Sequence, residues 1–164
     1  MESLLYPHQA EIYHTDKLHA LAIWGRRTGK TTLAHHILLR DVAHRDCLYI
    51  CPNWAMLQHS IGIFLREEPL VRYNRTERKL TFPHGNSIYL RHKIETESLY
   101  LNYAHIILDE AQLFSDRVIA TFNLTQKKLT LLATPLPLNE KAQKKHWLYR
   151  MATEGQFEEH WHRS

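Results

Sequence analysis

The 164-residue chain is 44% hydrophobic and 23% charged, and its length predicts a single domain over 1–164 that buries roughly 70% of its unfolded surface. No apolar run approaches the ~20 residues of a membrane span. The opening Met1-Glu2-Ser3-Leu4-Leu5-Tyr6-Pro7 lacks the charged and apolar regions of a signal peptide, which predicts an intracellular protein without a membrane partner. A net charge of +4 and a pI near 9.1 are compatible with a polyanionic partner without requiring one.

Tyr6-Pro7-His8-Gln9 opens an amphipathic pattern that runs through Ile12 and Leu18, with Pro7 suited to a first helical turn. Gln9 can donate and accept together, which is what reading an adenine edge needs. Alone, it reads equally as a surface residue at a helix start. The apolar run Leu21-Ala22-Ile23 follows, then Trp24-Gly25-Arg26-Arg27-Thr28-Gly29-Lys30-Thr31-Thr32, then helical spacing at Leu33, Ala34, Ile37 and Leu38. Strand, glycine-containing turn and helix are the context in which Gly-Lys-Thr marks a phosphate-binding loop rather than a chance tripeptide. Gly29 lets backbone N–H groups approach phosphate oxygens, and the helix N-terminus adds partial positive charge. Lys30 can reach β- and γ-phosphates, and Thr31 offers a hydroxyl to Mg²⁺. Gly25, Arg27, Thr28 and Thr32 complete the predicted nucleotide-binding set. In the template G-x-x-x-x-G-K-[ST] the first position falls on Trp24, with the spare glycine one residue later at Gly25.

The helix after the loop is expected to end near Arg40-Asp41. Cys47-Leu48-Tyr49-Ile50-Cys51 then reads as a strand, stopped by Pro52-Asn53. Four residues along a strand separate the two cysteines by about 13 Å, too far to share one zinc, and a disulfide would need Cα atoms within about 7 Å. They read as reduced packing thiols. Residues 54–66 have helical spacing, ended by Glu68-Pro69. Residues 71–73, 79–82 and 87–90 are short alternating stretches around the turn Pro83-His84-Gly85-Asn86, interspersed with Arg72, Arg75, Arg78, Lys79, Arg91, His92 and Lys93. The expected object is a β-hairpin with a basic surface, either merely solvated or in contact with nucleic acid.

Ala104-His105-Ile106-Ile107-Leu108-Asp109-Glu110-Ala111-Gln112 is an apolar strand ending in two acids. Asp109 can hold Mg²⁺ through its water shell and Glu110 can polarise an attacking water, because adjacent carboxylates at a strand end point in different directions. A helix is expected over 114–122, capped by Ser115 or Asp116. Residues 129–133 form a last strand ending at Thr134-Pro135, where Thr134 either senses the γ-phosphate or the activated water, or caps a turn. A final helix is expected over 139–151, with Lys141, Lys144 and Lys145 on one face. Residues 155–164 are expected to tuck back onto the domain through Phe157 and Trp161.

In order, Tyr6-Pro7-His8-Gln9, Gly25-Arg26-Arg27-Thr28-Gly29-Lys30-Thr31, Leu48-Tyr49-Ile50-Cys51-Pro52-Asn53-Trp54, the Thr81-to-Arg91 hairpin, Leu108-Asp109-Glu110-Ala111 and Ala133-Thr134-Pro135 resemble the ATPase domain of the large terminase subunit, the DNA-packaging motor of tailed bacteriophages and herpesviruses. The resemblance implies an α/β, three-layer P-loop NTPase of the additional-strand, catalytic-Glu (ASCE, RecA-like) type. Its central sheet would be mainly parallel, with a basic β-hairpin insertion and the Asp109 strand beside the phosphate-loop strand. It implies Mg²⁺-dependent ATP hydrolysis driving double-stranded DNA into a capsid from a homo-oligomeric ring in the host cytoplasm, transiently at the procapsid. The partners it implies are a portal protein, a small terminase subunit and a separate nuclease. Residue by residue, Gln9 becomes the adenine reader and Arg26 an arginine finger supplied in cis. Lys30 and Thr31 become the phosphate and Mg²⁺ ligands, Asp109 the metal-associated acid, Glu110 the catalytic carboxylate and Thr134 the coupling residue. Large terminases continue into a nuclease domain, whereas this chain ends about thirty residues after Thr134; it is either a free-standing ATPase whose nuclease is a separate chain or a fragment, and no cutting activity is expected. Two other readings remain: a helicase-like DNA-dependent ATPase, and a nucleotide-binding regulatory module that does not hydrolyse.

Overall fold

The structure is a computed structural model that describes residues 5–94, 102–115, 127–136, 141–142, 146–153 and 158–162. Helix α1 (Pro7–His14) precedes strand β1 (His19–Trp24), helix α2 (Lys30–Asp41), β2 (Cys47–Ile50) and α3 (Trp54–Glu67). Three short strands follow, β3 (Arg72–Asn74), β4 (Lys79–Thr81) and β5 (Ser87–Arg91). Strand β6 (His105–Asp109), a 3₁₀ turn (Ala111–Leu113), β7 (Leu129–Ala133), α4 (Trp147–Thr153) and β8 (Glu158–His162) complete the described elements.

The strands form one sheet in the order β3-β4-β5-β2-β6-β7-β1-β8. Every pairing from β5 to β8 is parallel, and only β3-β4 and β4-β5 are antiparallel. Parallel strands are covered on both faces and therefore read as continuous apolar runs. On one face Ala20, Ala22 and Trp24 of β1 pack with Cys47 and Tyr49 of β2 beneath α1, α2 and α3. On the other, Leu21 and Ile23 pack with Leu48, Ile106 and Leu108 against Leu148 and Tyr149 of α4. The result is three layers, α/β/α. Helix α2 presents Leu33, Ala34, Ile37 and Leu38 to the first core, all fully buried at the spacing of one helical face. Asn53 caps α3 by accepting a 2.9 Å hydrogen bond from the Met56 N–H.

Several expectations need correction. The Asp109 strand does not lie beside the phosphate-loop strand: β7 is inserted between them, pairing with β6 on one side and β1 on the other. Helix α1 ends at His14, because Thr15 is already extended and its hydroxyl accepts from Lys17 N instead. The hairpin continues the sheet, since β5 pairs with β2. Its basic surface is also smaller than the sequence implies. Arg91 is buried and donates to the carbonyls of Arg78 and Leu90, and Lys79 is paired with Glu77 at 2.8 Å, leaving Arg72, Arg75 and Lys93 exposed. Residue 114 is extended, and most of the helix expected over 114–122 lies outside the described residues. The helix expected over 139–151 is described as α4 from Trp147, with Lys144 and Lys145 outside the described residues. The returning C-terminal segment is a strand, β8, paired along all of Ala20 to Trp24.

At the end of the sheet away from the loop, Asp41 accepts from His105 Nδ1 (2.7 Å), whose Nε2 meets the Thr130 hydroxyl at 2.7 Å. Burial pushes the Asp41 pKa up, but hydrogen bonds from His105 and Arg40 outweigh it and hold the carboxyl well below the usual range. This network ties the C-terminus of α2 to β6 and β7.

His35, also on α2, sits with its ring 4.4 Å from that of Phe64, and its Nε2 has no hydrogen-bond partner among the described residues. Burial, followed by the charges of His36 and His59, lowers its pKa from 6.5 to about 4. The folded value lies below the unfolded one, so the unfolded chain takes up the proton first, and stability is lost as pH falls from 6.5 to about 4. His35→Phe keeps a ring against Phe64 and removes this titration. Relative to wild type, its unfolding free energy should gain up to about 3 kcal/mol between about pH 7.5 and about pH 4. Parallel pH profiles of Tm for the two proteins would reject this account.

Candidate functional site

Strands β1, β7 and β6 are neighbours, so the segments leaving their C-terminal ends converge although they are far apart in sequence. In open parallel sheets this edge is where ligands bind. From β1 comes the loop 25–29 and α2; from β6, Glu110, next in sequence to the buried Asp109; from β7, Thr134 and Pro135. Together they wall a cleft of about 560 Å³, within the range that holds small ligands. Arg26, Arg27, Thr28, Gly29, Lys30, Thr31 and Thr32 line one side, and Glu110 and Thr134 line the other.

The loop is tightly self-bonded. Gly29 caps α2 at φ +84°, a left-handed conformation open to glycine at little cost. Arg27 is also left-handed, at φ +59°. The Thr28 hydroxyl donates to Gly25 O at 2.8 Å, and Lys30 Nζ donates to Gly25 O at 3.0 Å and to Trp24 O at 3.3 Å. Trp24, at the first template position, is a wholly buried core residue whose ring meets that of His8 edge-on at 4.7 Å. Burial lowers the Lys30 pKa, and the charges of Glu110 and then Asp109 act against that shift.

Gln9 departs from expectation. It is buried at 2% exposure and lies behind the loop rather than in the cleft. Its Oε1 accepts from Tyr6 N (2.8 Å) and its Nε2 donates to Gly29 O (3.0 Å). His8 Nε2 lies 2.9 Å from Thr28 O. The start of α1 therefore braces consecutive loop carbonyls, and the Gln9 amide is engaged there rather than presented to a base edge.

The two acids diverge. Asp109 is fully buried, and its Oδ2 accepts from Thr31 Oγ1 at 3.0 Å and Tyr49 OH at 2.7 Å. Its Oδ1 accepts from Glu110 N at 3.0 Å. Burial raises its pKa, while the Tyr49 and Thr31 donors pull it back. Glu110, in a left-handed backbone conformation (φ +52°), turns its carboxylate into the cleft, where both oxygens lie 3.2 Å from Thr134 Oγ1. Gln112 Nε2 donates to Glu110 Oε2 at 2.5 Å. Sequence reasoning missed Tyr49 and Gln112. Tyr49 is the one hydroxyl in Cys-Leu-Tyr-Ile-Cys, and Gln112 is a polar residue two positions beyond Glu110.

No protein-family model and no curated protein matches this sequence. Solved structures do match. The Thermus phage P74-26 large terminase ATPase domain superposes with a TM-score of 0.70 over 98% of this chain and 81% of that one, at 16% identity. The fold is that of a phage large terminase ATPase domain. The large terminase of a thermophilic bacteriophage, solved in complex with ATP-γ-S, matches with a TM-score of 0.68 at 15% identity, over 94% of this chain. This chain spans 44% of that terminase. The SWI2/SNF2 ATPase core of Sulfolobus solfataricus, solved with double-stranded DNA, matches at a TM-score of 0.63 and 15% identity, over 92% of this chain and 36% of that one. Within this fold, the loop 25–29 follows β1, and β7 intervenes before β6.

A Cβ at Gly29 would lie 2.2 Å from Gln9 Nε2, on a backbone already left-handed. Gly29→Ala is therefore expected to destabilise the fold by about 2 kcal/mol or more. Adding Gln9→Ala should return the steric part in a denaturant-unfolding double-mutant cycle. Strict additivity of the two changes would show that the brace does not bear on the loop.

Proposed function

We propose that this chain is a Mg²⁺-dependent ATPase that drives double-stranded DNA into a capsid. The observation that carries this reading is the convergence of Lys30, Thr31, Glu110 and Thr134 on one cleft at the parallel strand ends, with the buried Asp109 bonded to Thr31 beside it. The terminase-type fold, and a thermophilic-phage terminase of that fold solved with ATP-γ-S, support it.

The loop N–H groups and the start of α2 would cradle the phosphates, with Arg27, Thr28 and Thr32 alongside. Lys30, whose ammonium already lies in the loop, would exchange the Trp24 and Gly25 carbonyls for β- and γ-phosphate oxygens. Thr31 Oγ1 and Asp109 Oδ2 are a hydroxyl–carboxylate pair suited to Mg²⁺, which takes few protein oxygens and completes its shell with water and phosphate. When bound there, the ion would neutralise charge on the phosphate oxygens. Glu110 would orient the attacking water and take its proton as oxygen bonds to the γ-phosphorus and the bond to ADP breaks. Arg26, exposed on the cleft side of the loop, would add an arginine finger in cis. Thr134 would pass the state of Glu110 into the segment after β7. Gln9 serves in this reading as the brace of Gly29.

Work on DNA would be done by a homo-oligomeric ring at the procapsid in the host cytoplasm, docked on a portal protein. A small terminase subunit would deliver DNA and a separate nuclease would cut it. A second reading, a helicase-like DNA-dependent ATPase, draws on the match to the SWI2/SNF2 core.

Phosphate release by the purified chain with Mg²⁺ and ATP tests the assignment. Lys30→Ala and Glu110→Gln should each lower turnover by at least about 10²-fold, and unchanged turnover in either rejects the chemistry. Arg26→Ala should cost ~10³-fold or more; full retention would assign the finger to a neighbouring subunit. Stimulation by blunt duplex supports the packaging motor, whereas unwinding of forked DNA supports the helicase-like alternative.

A further inference from the structure

Gln112 has no assigned role, yet its side chain is the joint between the two groups that face each other across the cleft. Glu110 turns through a left-handed conformation, and the 3₁₀ turn Ala111–Leu113 follows directly, which folds Gln112 back over the Glu110 side chain. The Gln112 side chain lines the cleft and is nearly buried, at 9% residue exposure. Its Nε2 donates to Glu110 Oε2 at 2.5 Å, and its Oε1 accepts from the backbone N–H of Thr134 at 3.1 Å. The Thr134 hydroxyl in turn donates to both Glu110 oxygens at 3.2 Å. The ring of hydrogen bonds fixes the amide orientation. Flipping it would set an acceptor against the carboxylate and a donor against the Thr134 N–H, both repulsive.

The same turn is held from outside by the residues that open α4. His146 hydrogen-bonds the backbone of Gln112, Trp147 Nε1 donates to Phe114 O at 2.8 Å, and the Tyr149 hydroxyl accepts from Leu136 N at 3.1 Å. The frame around Gln112 is therefore anchored on both sides, so the amide is a fixed donor against Glu110.

We propose that Gln112 is the positioning residue of the hydrolytic carboxylate: its amide fixes the rotamer of Glu110 and ties it to the backbone of Thr134. It acts through Glu110 and not on the phosphates, so its removal lowers kcat and leaves nucleotide affinity in place. This rests on the ATPase reading above.

The test uses Gln112→Leu, which keeps bulk and loses both hydrogen bonds, and Gln112→Glu. The Glu variant keeps the acceptor for Thr134 N but replaces the donor with an oxygen that repels Glu110. Steady-state phosphate release should show kcat reduced at least about tenfold in both variants, with the Kd for a fluorescent ATP analogue within about twofold of wild type. A Tm matching wild type shows that the variants are folded. The proposal is overturned if kcat stays within about twofold of wild type, or if nucleotide affinity falls in step with kcat. Absence of turnover in the wild-type chain itself would instead remove the ATPase reading on which the proposal stands.

Discussion

A carboxylate removed from water must find donors, and the site is arranged around one such group. Asp109 has no exposure, so its charge is sustained by the hydroxyls of Thr31 and Tyr49 and by the N–H of Glu110. Each donor comes from a different element: Thr31 from the first turn of α2, Tyr49 from the middle of β2, Glu110 from the residue leaving β6. Satisfying one buried acid therefore fixes α2, the strand β2 and the turn that aims the second acid. Leaving such a group partly satisfied costs about 1–3 kcal/mol per missing partner, so the arrangement constrains as well as stabilises.

The insertion of β7 between β1 and β6 gives the cleft its width. If β6 lay directly against β1, the segment after β7 would fall outside the site and Thr134 would not face Glu110. With β7 between them, the ends of the three strands present loop, hydroxyl and carboxylates side by side. The parallel arrangement puts all of these chain ends on the same rim, while the Asp41–His105–Thr130 network secures the opposite one.

Much of this was legible in the residues because it is local. The apolar run before Gly29-Lys30-Thr31, the helical spacing of Leu33 to Leu38 and the acidic end of β6 each declare an element and its boundary within a few residues. Strand order is a long-range property, and apolar strands buried on both faces carry no periodic mark of their neighbours, so the place of β7 between β1 and β6 could not be read from the residues. Tyr49 was hidden for a related reason: within a fully buried strand an aromatic reads as packing, and only the fold shows where its hydroxyl points. Gln9 is a different case. Its chemistry suits a base edge, but the short span from α1 to β1 sets it behind Gly29, where a carbonyl takes its amide. Gln112 lay in plain view two residues beyond Glu110, and only the left-handed turn reveals that the side chain doubles back.

Strand β8 has one more consequence. It runs parallel to β1 along Ala20 to Trp24 and so covers the outer side of the strand that leads into the loop 25–29. Without it, the margin of the sheet would be His-Ala-Leu-Ala-Ile-Trp, a flat and mostly apolar ribbon with one row of unpaired amides and carbonyls. Such a margin is a template for pairing with other chains. The returning segment thus acts as a guard on self-association, and the choice of where to truncate this protein is at the same time a choice about its colloidal behaviour.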